Sequence, residues 1–173
     1  KPLAPTEAQA EEMFKAAEEN HVYLMEAFAY QHSPYIAAVR KEIENGTIGD
    51  VRYMESAYIT SDYDPKNIRM RRDTLGGCTY DLGVYNTSLI LRILGDEPAK
   101  VRAIASFSEE KIDTLTSFDG REEMKTISVP QNYRLEVEQM GRCVEGKETP
   151  AVTRGFSLAN ARMIDAILEE IGY

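Results

Sequence analysis

The sequence predicts an α+β domain: a mostly antiparallel, open sheet with helices packed on one face. Three observations lead there. Helical and strand-like patterns are mixed without a regular βαβ alternation. The strand-like runs of the second half meet at Asp119-Gly120, a dipeptide suited to a tight hairpin. A length of 173 residues lets one domain bury a core without disulfides or a structural metal, so residues 1–173 are read as a single domain.

The elements follow in order. Thr6 with Gln9 three residues later forms a capping box, and a run rich in Ala, Glu and Lys carries the first helix to Asn20. Val22 to Ala27 is a short apolar run, read as a buried strand. Ser33-Pro34 supplies a cap and a first-turn proline for a helix with Ile36, Val39, Arg40 and Ile43 on one stripe, stopped by Asn45-Gly46. Val51 to Thr60 reads as a strand by propensity and parity. A polar loop spans Asp62 to Asp73. A helical pattern then runs from Gly76 to Leu94, where Gly95 and Pro98 stop it. Ala99 to Ser108, Ile112 to Phe118 and Glu123 to Val129 read as strands. Helices at Tyr133 to Val144 and at Leu158 to Ile171, capped by Ser157, close the chain.

Composition removes several function classes. A net charge of −9 repels nucleic-acid phosphates and anionic lipid, and the Arg69, Arg71, Arg72 cluster is too small to wrap a phosphate backbone. No run of about 18 apolar residues offers a membrane span. Cys78 and Cys143 lack metal-ligand spacing, so no metal is expected, and a cytoplasmic location suits two cysteines outside any disulfide framework. Neither nucleic acid nor membrane is expected as a partner. Lys1-Pro2-Leu3, with no initiator methionine, reads as a cut inside a longer protein or as processing.

The stretch from Gly76 to Tyr85, G-G-C-T-Y-D-L-G-V-Y, is the most informative. Two glycines permit close backbone approach, and the helix after them presents Asp81 and Tyr85 four residues apart on one face. Spacing alone favours a structural hydrogen bond or a pair that merely faces solvent over a catalytic one.

Three further stretches accompany it in order: Lys1-Pro2-Leu3-Ala4 before a capped helix, L-M-E-A-F at Leu24 to Phe28, and G-T-I-G-D-V-R at Gly46 to Arg52. Together they resemble the glucose-fructose oxidoreductase, inositol dehydrogenase and MocA family, on its dihydrodiol dehydrogenase-like side. The resemblance runs from Lys1 to about Ser117 and resumes near Gly120, with S-V-P-Q-N-Y-R-L-E-V-E at Ser128 to Glu138 similar to the usual penultimate helix. Family members carry more sheet strands in between. A deletion, or an omitted segment, is therefore expected near 117–121, and in the second case the Asp119-Gly120 hairpin would be an artefact of the join.

The resemblance implies an oxidoreductase that uses NAD or NADP and acts on a sugar, cyclitol or related polyol or ketone. The chain would be its C-terminal substrate-binding domain, forming a homo-oligomer through the sheet face. Lys1 and Pro2 match the end of the family's Glu-Lys-Pro motif, at the edge of the cofactor site. No G-x-G-x-x-G occurs in the chain, so no cofactor is expected to bind it alone and the chain alone is expected to be inactive. Lys1, Asp81 and Tyr85 carry over as the catalytic set. Hydride removal from a carbinol carbon requires loss of the hydroxyl proton, so Tyr85 is the candidate base, with Lys1 favouring its phenolate and donating to the substrate oxygen. Asp81 would orient Lys1 or bind an adjacent hydroxyl. Tyr30, His32 and Arg69 are candidate substrate contacts, although Y-Q-H-S-P departs from the family's Y-R-x-H-P: Gln31 replaces the arginine, and His32 lies one position early. Tyr53 and Tyr58 read as sheet-packing aromatics. Two other readings stay open, a non-enzymatic oligomerisation or ligand-binding module and glycosidase chemistry by paired carboxylates.

Overall fold

A computed structural model describes residues 1–60, 64, 66–95, 97–109, 111, 113–114 and 132–173. Among the described residues five α-helices carry the fold. Helix α1 (Glu7–Glu19) starts where the capping box places it, with the Thr6 hydroxyl accepting the Gln9 N–H at 3.3 Å. A second acceptor comes from far away, as Asp165 takes the Glu7 N–H at 2.8 Å. Helix α2 (Pro34–Glu44) has Ser33 accepting from the Tyr35 N–H and proline at its first position. Helix α3 (Val84–Leu94) ends at Gly95 in a left-handed conformation. Helices α4 (Asn132–Val144) and α5 (Arg154–Ile171) complete the set.

Helix α5 is the hub. Both α1 and α3 pack on it, while α4 packs on a short 3₁₀ turn at Ala29–His32. The core joins Phe28, Tyr80, Val84, Val152, Ile164 and Leu168, with Tyr30 and Tyr85 packed against it. Each such apolar side chain contributes about 1.5–3 kcal/mol when fully buried. Ion pairs lace the outside of the α1–α5 contact, with Arg162 bridging Glu7 and Glu97, and Arg154 reaching Glu11 and Glu18.

Among the described residues the sheet is one antiparallel pair: β1 (Ser106–Phe107) and β2 (Asp113–Thr114), with Ser106 opposite Thr114 and Phe107 opposite Asp113. This is far less sheet than the sequence predicts. Val22 to Ala27 is not a strand; it is a connector whose Val22 and Tyr23 are exposed and whose Glu26 is buried. Val51 to Thr60 is not a strand either, and Tyr53 and Ile59 stand exposed along it. Both have strand-like composition, but a strand exists only where a neighbour completes its hydrogen bonds, and composition does not supply one. The Asp119-Gly120 hairpin and the Glu123 to Val129 strand lie outside the described residues.

Two helix starts also differ from expectation. Helix α5 begins at Arg154 rather than Leu158, because Thr153 accepts the Phe156 N–H at 3.2 Å, and Ser157 lies buried inside the helix. Instead of α-helix throughout Gly76 to Leu94, a π-helical turn occupies Thr79–Gly83 and α3 starts only at Val84.

Candidate functional site

The site is built on the two glycines. The Gly76 N–H donates to the Arg71 carbonyl at 2.8 Å and the Gly77 N–H to the Arg69 carbonyl at 2.9 Å, which folds the Arg69–Arg71 backbone against the helix start. A Cβ on Gly76 would lie 2.5 Å from the carbonyl oxygens of Arg69 and Arg71, so no other residue fits this approach. Gly77 adds φ +117°, in the region that favours glycine. The close approach anticipated from the glycine pair is therefore made to the chain's own loop. Tyr173 closes the turn from behind, its hydroxyl donating to the Gly76 carbonyl at 2.6 Å while Arg72 lies over its ring at 4.4 Å.

The π turn that follows carries Asp81. Single π turns inside helices recur at functional sites because the extra residue re-aims side chains. Asp113 of β2 caps this turn, its Oδ2 accepting the Thr79 N–H at 2.8 Å, the Thr79 hydroxyl at 2.6 Å and the Cys78 thiol at 3.1 Å. Folding the loop back brings Arg69 to Asp81, with Nε to Oδ1 at 2.9 Å, and Arg69 Nη1 also donates to Asn67 at 3.3 Å. Asp81 thus pairs with Arg69, whereas the sequence suggested Lys1 or a substrate hydroxyl.

Lys1 goes to Tyr85. Its Nζ lies 4.8 Å from the centroid of the Tyr85 ring. The stretch behind Lys1 is anchored by the Tyr80 hydroxyl, which donates to the Pro5 carbonyl at 3.0 Å. Tyr85 stands in an aromatic group, edge-on to Phe28 at 6.0 Å and to Tyr58 at 5.4 Å. Its hydroxyl has no hydrogen-bond partner among the described residues, which leaves it open to a ligand. Beneath Lys1 lies Glu26, 2% exposed; burial pushes its carboxyl up, with Ser157 and the Lys1 charge opposing.

Two clefts meet here, and the Arg69–Asp81 pair is the wall they share. The smaller, about 280 Å³, is bordered by Lys1, Pro2, Leu3, Ala4, Leu75 and Tyr80. The larger, about 750 Å³, is bordered by Tyr58, Asp64, Asn67, Tyr85, Asn86 and Asp113 among others. Asn86 is held by the Ser56 hydroxyl at 2.8 Å, which ties the Tyr58 segment to α3. Of the six side chains and one proline singled out from the sequence, Lys1, Pro2, Arg69, Asp81 and Tyr85 come together at these clefts.

Tyr30 and His32 border neither cleft. The Tyr30 hydroxyl is bonded to Ser88 at 2.7 Å and to the Gln31 amide at 2.6 Å, and burial pushes its pKa up to about 12. His32 faces α4, Nε2 being 4.0 Å from Glu136; burial first and then Arg92 hold its pKa below the ordinary histidine value. Glu26, Asn67, Asn86 and Asp113 were not singled out from the sequence. Glu26 had a visible signal, a lone carboxylate inside the apolar L-M-E-A-F run. The others become neighbours only through the loop fold. No three His, Cys, Asp or Glu residues gather as a metal site among the described residues.

Comparison with known proteins adds three findings. A family model described as the GFO/IDH/MocA C-terminal domain matches residues 36–129. The chain is 31% identical over 120 residues to a mouse (Mus musculus) trans-1,2-dihydrobenzene-1,2-diol dehydrogenase, covering 68% of this chain and 35% of that protein. It is 30% identical over 111 residues to the dTDP-3,4-didehydro-2,6-dideoxy-alpha-D-glucose 3-reductase of Actinomadura kijaniata, covering 64% of this chain and 33% of the relative. The chain thus spans about a third of the length of these relatives. Against a D-xylose 1-dehydrogenase (NADP(+)) of Haloferax volcanii the match is 27% over 224 positions, covering 98% of this chain and 68% of that protein. In the fold, a solved Sinorhizobium meliloti 1021 protein provisionally assigned as a myo-inositol dehydrogenase superposes with a TM-score of 0.68 at 16% identity, covering 99% of this chain and 70% of that one.

Proposed function

Since the chain belongs to the GFO/IDH/MocA family, we propose that it is the substrate-facing part of an oxidoreductase that moves a hydride between NAD or NADP and a sugar, cyclitol or related polyol or ketone. The observation that carries this reading is the placement of Lys1 Nζ at 4.8 Å over the Tyr85 ring, beside a cleft of about 750 Å³ that the Tyr85 hydroxyl can serve. The names of the relatives, each a dehydrogenase or reductase of a diol or sugar, support the reaction class.

The nicotinamide supplies the hydride acceptor or donor. Within this chain the smaller cleft fits a flat heteroaromatic amide, because Leu3, Ala4 and Leu75 give it apolar walls and Lys1 a donor; Lys1 and Pro2 would border the ring. The chain's own residues handle the proton. Tyr85 takes it from the carbinol hydroxyl in oxidation and returns it in reduction, Lys1 donates to the same substrate oxygen, and Arg69 holds Asp81 beside them. The amide NH2 groups of Asn67 and Asn86, whose Oδ1 atoms already accept from Arg69 and from Ser56, suit the remaining hydroxyls as donors.

Assembly as a homo-oligomer belongs to the same proposal. Tyr53 and Ile104, 79% and 89% exposed, lie on extended segments that a second copy would cover. So does a missing internal segment near 117–121: the alignment to the Haloferax dehydrogenase runs for 224 positions while drawing on a chain of 173 residues, so that relative contains residues this chain lacks.

The test is isotopic. The full-length protein is incubated with oxidised cofactor and polyols carrying deuterium on the carbinol carbons, and the reduced nicotinamide is weighed by mass spectrometry. Deuterium gained by the ring is the expected result. Its absence across neutral sugars, cyclitols and cyclic diols refutes the proposal in favour of a non-enzymatic module.

A further inference from the structure

We infer that the larger cleft accepts a neutral polyhydroxylated ring and discriminates against the same ring carrying a carboxylate. This rests on the oxidoreductase reading of the cleft and adds the charge of the substrate to it.

Among the described residues that line the cleft, Arg69 is the one cation. It is already committed, with Nε on Asp81 at 2.9 Å and Nη1 on Asn67 at 3.3 Å. A substrate anion would have to break a charge-assisted bond to use it, and would leave Asp81 unpaired beside itself. The remaining charged groups on the lining are the carboxylates of Asp64 and Asp113. Asp113 is 1% exposed and turned to the start of the π turn, where three donors and the amide dipoles offset part of its charge. Asp64 has no such offset among the described residues: its Oδ1 accepts the Lys66 N–H at 2.9 Å, a neutral donor. Lys1 borders the other cleft and lies over the Tyr85 ring, where its work is on the reacting oxygen.

The described lining therefore offers amides and aromatic faces to hydroxyls and ring carbons, with carboxylates outnumbering cations. Unit charges of like sign roughly 8 Å apart near a protein surface repel enough to weaken binding by about thirtyfold unscreened, and by about tenfold once mobile ions screen part of it. A neutral sugar escapes that penalty.

Matched pairs isolate the effect. D-glucose against D-glucuronate, and D-galactose against D-galacturonate, are titrated by calorimetry into the full-length protein with its nicotinamide cofactor bound, and turnover is followed on the same samples. Each acid is expected to bind about tenfold more weakly than its neutral partner at low salt. The gap should narrow in high salt and in Asp64→Asn. An acid that binds as tightly as its partner, or more tightly, overturns the inference while leaving the oxidoreductase reading standing. So does failure of both neutral sugars to bind. If no sugar is oxidised, the oxidoreductase reading falls, and the ratio of affinities still decides the charge of the ligand.

Discussion

Gly76 shows how one residue sets the site. With a Cβ placed 2.5 Å from two backbone oxygens, Gly76→Ala must push the Arg69–Arg71 loop away from the helix start. The expected outcome is a loss of about 1–3 kcal/mol in stability, and a fall of at least about tenfold in turnover because Arg69 no longer reaches Asp81. Thermal melts and steady-state rates check both. Glu26 gives a pH-dependent case. Burial raises its carboxyl above the ordinary value, so the folded chain holds that proton more tightly than the unfolded chain. The contribution of this group to stability is therefore fully present below about pH 4.3 and is lost as pH rises through the folded value. Glu26→Gln is therefore expected to raise the melting temperature at pH 7 by about 2–4 °C, the shift that ~1 kcal/mol produces in a domain of this size, with a smaller gain at pH 4. Equal gains at both would show that packing, not charge, is responsible. The sequence made Lys1, Asp81 and Tyr85 legible as a set because their motifs are local. It did not show that Arg69 is Asp81's partner, since that contact depends on a loop folding back across 12 residues.

Elements were legible where their ends carry chemistry of their own. Thr6, Ser33-Pro34 and Gly95 mark helix boundaries through local bonds and backbone angles, and α1, α2 and the end of α3 fall where these residues put them. The π turn was not legible, because one extra residue per turn leaves no mark in an apolar pattern. Its cap is also remote: Asp113 lies 34 residues from Thr79. Asp113→Ala is expected to cost about 1–3 kcal/mol by leaving buried donors at the turn unpaired, and to loosen Asp81, seen as a rise in KM before any loss of cofactor affinity. Helix α4 has its own pH dependence through the 3₁₀ turn beneath it. His32 titrates below the unfolded value of about 6.5, so the unfolded chain takes up this proton first and stability falls as pH drops through that window. Replacing it, His32→Gln, should lessen the loss of stability measured by urea unfolding between about pH 7 and pH 5. An unchanged pH profile would remove His32 from the docking of α4.

At the scale of the molecule, the helices of the α+β expectation are seen, two of them with other starts than expected, and among the described residues the sheet is one short ladder. The reason is physical. Helices satisfy their backbone within a single segment, so sequence determines them locally, whereas strands need partners. The Val51 to Thr60 segment has the composition for a strand, yet Tyr53, Tyr58 and Ile59 stand exposed and no strand partner is found among the described residues. On the proposal that a second copy covers these segments, Ile104→Asp combined with Tyr53→Asp is expected to leave a monomer in sedimentation with the helical signal retained, where the parent protein sediments as an oligomer. The central claim, that Tyr85 moves the proton for hydride transfer at this cleft, meets its most direct test in Tyr85→Phe. The account expects kcat to fall by about 10²–10⁴-fold, the contribution of a positioned acid or base, with cofactor affinity and melting temperature close to wild type. A Phe variant that turns over at the wild-type rate would contradict it.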